Sequence, residues 1–324
     1  MESGRPKVFM FSGQGSHYFH MGKGLYGENQ CFTHYMNTMD KIVKNHVGWS
    51  VLDELYDSSR KYTDPFNQIR HSQPAIYMLE YALARTLMQH SIQPDFVLGA
   101  SLGEAVALTV AGACTMEDCL ICIIDQAVLF NNYCRMGGML TILGHISLYH
   151  ENRELHSHCE IAACDQDNHF IVSASEENLT RIETYLREYN IVYHRLPVQY
   201  AFHSALLDEI KPRFDAFNAR LRLGRPSITL ISSVFAQPMH SFPEDYLWKV
   251  YRQPINFRRA VEYLESRGAY DYIDVGPSGT LCGFVKHIKG AYSHSQCMTT
   301  VTPFTNNAGL EAILEGLVPC LSIS

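Results

Sequence analysis

The chain has 324 residues, enough for one large domain or for a domain with a smaller one inserted into it. Hydrophobic residues make up 46% and charged residues 18%, as in a globular enzyme, and a net charge of -7 argues against nucleic acid or an anionic membrane as partner. Ten scattered Cys frame no disulfide scaffold, no run reaches the roughly 18 apolar residues of a membrane span, and Met1 to Lys7 lack a signal-peptide core. A reducing cytoplasm is therefore the expected location.

Lys7 to Phe11 read as a first buried strand. It ends in Ser12-Gly13-Gln14-Gly15-Ser16, a glycine-rich turn that is neither a phosphate loop nor a dinucleotide fingerprint. At the carboxyl edge of a parallel sheet such a turn either lends an amide to an oxyanion or simply caps a helix. Residues 24–60 look helical, and an apolar helix begins at Pro74. Phe96-Val97-Leu98 then leads into Gly99-Ala100-Ser101-Leu102-Gly103, a G-x-S-x-G followed by helix formers. That context fits a nucleophile elbow, in which small residues flank a serine on a strained strand-to-helix turn. The motif alone equally fits an ordinary Gly-Ser turn.

Helices are expected at 104–113 and 117–134, broken near Gly112. Cys119 and Cys122 form a C-x-x-C inside the second, with no further pair at zinc spacing, so buried thiols and no metal are expected. Over 138–200, strands at Met139–Leu143, Ile161–Cys164, Phe170–Ala174 and Tyr193–Leu196, with a helix over Glu176–Tyr189, give a β-α-β-β-α-β-like, ferredoxin-like unit. Ala201-Phe202-His203-Ser204 returns the chain to the larger domain, whose later strands are expected at Ile228–Ser233 and Tyr272–Pro277. The fold class is α/β. Residues 1–137 and 201–324 form an α/β-hydrolase-like domain with a parallel sheet, and 138–200 form the inserted subdomain.

Taken together, Phe11-Ser12-Gly13-Gln14-Gly15-Ser16, Gly99 to Glu104, Gly138-Met139-Leu140, Ala201 to Ser204 and Asp274-Val275-Gly276-Pro277 resemble the malonyl-CoA:acyl-carrier-protein transacylase family, which includes polyketide synthase acyltransferase domains. The resemblance implies a Ser101–His203 dyad acting on a thioester, with the backbone amides of Gln14 and Leu102 as oxyanion hole. It also implies that the Asn256 carbonyl orients His203. The acyl group would arrive on the phosphopantetheine arm of an acyl carrier protein. No other cofactor is implied, and a monomer is expected.

Three departures from the family pattern stand out. Ala100 replaces the usual His before the nucleophile, and His17 and His20 sit where surface or pocket rim is expected. Above all, Gln126, 25 residues beyond Ser101, stands where malonyl-transferring members carry an Arg. A neutral Gln cannot pair with the malonyl carboxylate, and a lost buried charge partner costs about 2–5 kcal/mol. Gln126 is thus a candidate substrate-binding residue, and the acyl group is expected to be uncharged.

The match is best with the trans-acting acyl hydrolases of trans-acyltransferase polyketide synthases, which clear stalled acyl groups. Transfer between carrier thiols remains the alternative, as does malonyl transfer by another route; a silent docking protein conflicts with the intact dyad. Phe202, beside His203, either crowds out α-branched acyl groups or is simply core. Arg258, Arg259, Lys286 and Lys289 are candidates for a basic carrier-protein dock, or for an ordinary solvated face.

Overall fold

The computed structural model describes residues 4–305 and 307–316. Six strands form the main sheet: β1 (Lys7–Phe11), β2 (Phe96–Gly99), β7 (Thr229–Ser232), β8 (Gln237–Met239), β9 (Asp271–Asp274) and β10 (Gln296–Thr299), in the order β10-β9-β1-β2-β7-β8. All pair in parallel except β8, which lies antiparallel on β7 at one edge. The central strands are apolar on both faces because both are covered. Phe9, Phe11, Val97 and Leu230 pack under the helices Gln30–Val47, Ile69–Gln89 and Gly103–Val110. Val8, Met10, Leu98 and Ile231 pack under Phe257–Glu265 and Thr280–Ile288.

The second sheet comprises β3 (Gly137–Ile142), β4 (Glu160–Gln166), β5 (His169–Ser175) and β6 (Tyr193–Arg195), antiparallel throughout, in the order β4-β5-β3-β6. With helical segments after β3 and β5, this is the βαββαβ arrangement expected between 138 and 200. Strand pleating gives the sheet two different faces. Leu140, Ile142, Phe170 and Val172 point to the helix Glu176–Glu188 and its Leu179, Ile182 and Leu186. Met139, Thr141 and Ile171 point the opposite way, toward the main sheet.

Several boundaries moved. The helix expected from Pro74 starts at Ile69 and accommodates Pro74 in its interior. The segment 24–60 holds helices only at Gln30–Val47 and Val51–Leu55. Strands β8 and β10 add to those expected. Among the described residues no helix is long and apolar enough to cross a membrane, and no cluster of three metal-ligating side chains is present.

Candidate active site

The elbow is shaped by contacts that only glycine permits. A Cβ on Gly103 would lie 2.1 Å from the Phe11 carbonyl oxygen, and one on Gly99 would lie 2.3 Å from the Glu104 nitrogen. β1, β2 and the following helix can therefore approach closely. Ser101, between the two glycines, takes φ of +53°, a left-handed conformation that costs energy for a residue with a Cβ. The strain lifts its side chain toward the carboxyl edge of the sheet.

His203 reaches Ser101 from the loop after the small sheet. It too has positive φ, +62°, and its N–H donates to the Tyr251 carbonyl at 2.8 Å. Its Nε2 lies 2.9 Å from Ser101 Oγ, and its Nδ1 lies 2.7 Å from the Gln253 carbonyl oxygen. A carbonyl only accepts, so Nδ1 carries the proton and Nε2 is left to accept from the Ser101 hydroxyl. Burial lowers the His203 pKa to about 4, partly offset by the Gln253 hydrogen bond. The imidazole is neutral and ready as a base at pH 7.

The His-orienting carbonyl is thus that of Gln253, correcting the expectation of Asn256. The Asn256 carbonyl accepts from Ala260 N–H at the start of the helix Phe257–Glu265, and its own N–H donates to Ser233 O at 2.7 Å. Gln253 ends the preceding helix Tyr246–Arg252 in extended backbone, which leaves its carbonyl free to turn to the imidazole.

Gly13 brings the glycine-rich turn against the elbow. A Cβ there would meet the Ala100 oxygen at 2.7 Å and Ser101 Cβ at 3.0 Å, with Leu102 N at 3.4 Å. The N–H groups of Gln14 and Leu102 have no acceptor among the described residues, as an oxyanion hole requires. The turn is braced from three sides. Ser12 N–H and Oγ donate to buried Glu80, and Gln14 Nε2 donates to Ser72 Oγ at 2.8 Å. Gly15 N–H donates to His17 Nδ1, whose Nε2 lies 2.6 Å from Phe66 O. His17 is therefore buried beneath the turn, not on the rim, and burial lowers its pKa to about 4.

Glu104, the residue after the elbow's second glycine, anchors the elbow from beneath. It is wholly buried and accepts from Ser232 Oγ, Ser233 N–H, Ser233 Oγ and Tyr246 O–H. Burial raises its pKa to about 7 against those hydrogen bonds. It ties the elbow helix to Ser233, whose carbonyl in turn receives Asn256 N–H near the Gln253 segment.

Ser101 and His203 open into a cavity of about 380 Å³ between the two sheets. Ala100 and Phe202 line it, and Phe202 also packs edge-on against Phe130 with centroids 5.1 Å apart. Gln126 does not line it. Its side chain is buried, with Nε2 donating to Asn218 Oδ1 at 2.5 Å and to Cys122 Sγ at 3.2 Å. The expected contact of Gln126 with the acyl group is therefore not made, since the shorter amide is held by the helix Lys211–Asn218. Among the described residues no Lys or Arg lines the cavity. Of the candidate docking residues, Arg258 is paired with Asp167 and Glu262, and Lys289 donates to Ser295 O.

A strained serine on a parallel-sheet elbow, a neutral histidine within hydrogen-bond distance and two free amides thus meet at one cavity. The chain belongs to the acyl transferase domain family, whose model matches residues 8–310. It is 41% identical over 299 residues to the polyketide biosynthesis acyltransferase homolog PksD of Bacillus subtilis, covering 92% of each chain. It is 42% identical over 300 residues to the homolog BaeD of Bacillus velezensis, covering 93% of each. Among solved structures it superposes on the acyl transferase domain of SpnD with a TM-score of 0.86 at 21% identity, covering 98% of this chain and 76% of that one. It superposes on the MCAT of Streptococcus pneumoniae with a TM-score of 0.80 at 23% identity, covering 96% and 100%. These two likenesses establish the fold.

Proposed function

We propose that the protein is a trans-acting acyl hydrolase of polyketide biosynthesis, releasing uncharged acyl groups such as acetyl from acyl carrier proteins. One observation carries the proposal: the Ser101–His203 pair faces a cavity with no Lys or Arg in its lining among the described residues, so a malonyl carboxylate finds no guanidinium or ammonium there. The names of the two Bacillus relatives support the polyketide context.

His203 Nε2 takes the Ser101 proton as Oγ attacks the thioester carbonyl. The resulting oxyanion sits on the Gln14 and Leu102 amides, each such donor being worth about 3 kcal/mol at the transition state. Collapse expels the phosphopantetheine thiolate, which takes the proton from His203. Water, deprotonated by His203, then attacks the ester and releases the free acid and Ser101. Polar groups on the wall, among them Thr141 and His169, favour water beside the ester.

Transfer to a second carrier thiol is the competing outcome, favoured by the acyltransferase naming of the relatives. Acetyl- and malonyl-loaded carrier protein, followed separately by intact-mass spectrometry, distinguish the two. Free acetate with malonyl untouched is expected, and Ser101→Ala should abolish acyl-enzyme formation. Stable transfer to a second carrier without hydrolysis would overturn the hydrolase assignment.

A further inference from the structure

Among the described residues the wall of the acyl cavity has no Lys or Arg, and it carries a carboxyl group. Asp165 lies near the end of β4, where the pairing with β5 slips from Ala163 opposite Ile171 to Gln166 opposite His169. Three steps on one strand thus oppose two on the other, a bulge that re-aims the side chains it contains. Asp165 lines the cavity holding Ser101 and is only 4% exposed.

Its protein contacts compensate the charge only in part, through the N–H and the nearby charge of Arg258. Arg258 N–H donates to Oδ1 at 3.2 Å, but the Arg258 guanidinium is directed to Asp167 and Glu262. Among the described residues no Lys, Arg or His forms an ion pair with Asp165 within 4.0 Å. Burial raises its pKa to about 6, so it is ionised at pH 7.5. Burial lowers the pKa of His169, its neighbour on the wall, and of His203, whereas His194, which also lines the cavity, is exposed.

We propose that Asp165 is a specificity-determining residue whose carboxylate bars carboxylate-bearing acyl groups from Ser101 while admitting neutral ones of the same size. The proposal deepens the acyl selectivity put forward above and does not depend on whether water or a thiol later accepts the acyl group. Two carboxylates in one cavity repel, and like-charge juxtaposition is a strong means of rejecting a ligand. Loss of the arginine removes an attraction for malonyl, whereas Asp165 adds a repulsion.

The test reads loading alone. Acyl-enzyme formation on Ser101 is followed by rapid-quench intact mass, using pantetheine thioesters of malonate, of its monomethyl ester and of acetate. Wild-type protein is expected to load the neutral methyl ester faster than malonyl. Asp165→Asn keeps an acceptor for Arg258 N–H and should raise the malonyl-to-methyl-ester loading ratio about 10- to 100-fold, with acetyl loading changed less than about threefold. Asp165→Ser should shift the ratio the same way, and it serves if the Asn variant folds poorly. Equal wild-type loading of malonyl and its methyl ester, or an unchanged ratio in a folded variant, would overturn the proposal. Normal loading selectivity with thiol transfer replacing hydrolysis would overturn the hydrolase assignment alone.

Discussion

Glu104 offers the sharpest test of how the site is held together. Its carboxylate accepts from four donors on Ser232, Ser233 and Tyr246, all of them buried. Glu104→Ala strands them. The serine hydroxyls can turn elsewhere, but Ser233 N–H and Tyr246 O–H are fixed. At about 1–3 kcal/mol for each buried group left without a partner, the loss is roughly 2–6 kcal/mol. Glu104→Gln retains an acceptor for Ser233 and should lose only about 1 kcal/mol. Urea unfolding with a common m-value measures both.

The same carboxylate makes stability depend on pH in a direction that can be worked out. Its folded pKa, about 7, is raised above the ordinary 4.5, so the folded state holds the proton more tightly than the unfolded state. The contribution is fully present below about pH 4.5 and is lost as pH rises through about 7. Between pH 5 and pH 8 the difference in stability between wild type and Glu104→Gln should move against wild type by roughly 2–3 kcal/mol. Asp165 and Asp274 shift in the same direction in both proteins and cancel in the difference. A gap flat with pH, or a loss below about 1 kcal/mol in Glu104→Ala, would refute the role assigned to the buried carboxyl.

Acylation of Ser101 by a neutral thioester should stay fast well below the ordinary histidine range, falling only as pH approaches the His203 value of about 4, as read by single-turnover quench. An inflection near the ordinary value of 6.5 would place a solvated imidazole at the site. Gly103→Ala puts a Cβ 2.1 Å from the Phe11 carbonyl, a contact with backbone that no rotamer relieves. It should cost several kcal/mol, and a melting temperature within about 2 °C of wild type would contradict that geometry.

Much of the site was legible because its parts are steric necessities with a fixed residue type. Gly13, Gly99 and Gly103 each lie where a Cβ would strike backbone, so the close approach of two strands, a turn and a helix is written as glycine. β1 spans the residues read as a strand because burial on both faces demands an unbroken apolar run. β8 and β10 escaped because three or four residues beginning with Gln carry no periodicity to read. The Gln253 carbonyl escaped for a deeper reason: any residue supplies a carbonyl, and what matters is that the preceding helix ends there. His17 looked like a rim residue since nothing local shows that Phe66, 49 residues away, will cap its ring.

Gln126 and Asp165 show how selectivity can change while the reacting groups stay in place. Ser101, His203 and the free amides of Gln14 and Leu102 depend on the main sheet and the loops at its carboxyl edge, where glycine contacts hold the backbone close. Gln126 and Asp165 lie away from that edge, one on the helix Met116–Tyr133 and one at a bulge in the smaller sheet. Neither hydrogen-bonds Ser101 or His203. Gln126, its amide held by Asn218 and Cys122, offers the cavity no cation. A carboxylate on the opposing sheet reverses the sign of the field in which the acyl tail must sit. Under the proposal above, Asp165 discriminates between acyl groups of equal size, which the lack of a lining Lys or Arg alone does not. A charge placed on the subdomain wall acts on the acyl tail, not on the carbonyl under attack, so it can alter which thioester loads without slowing the loading of those it admits.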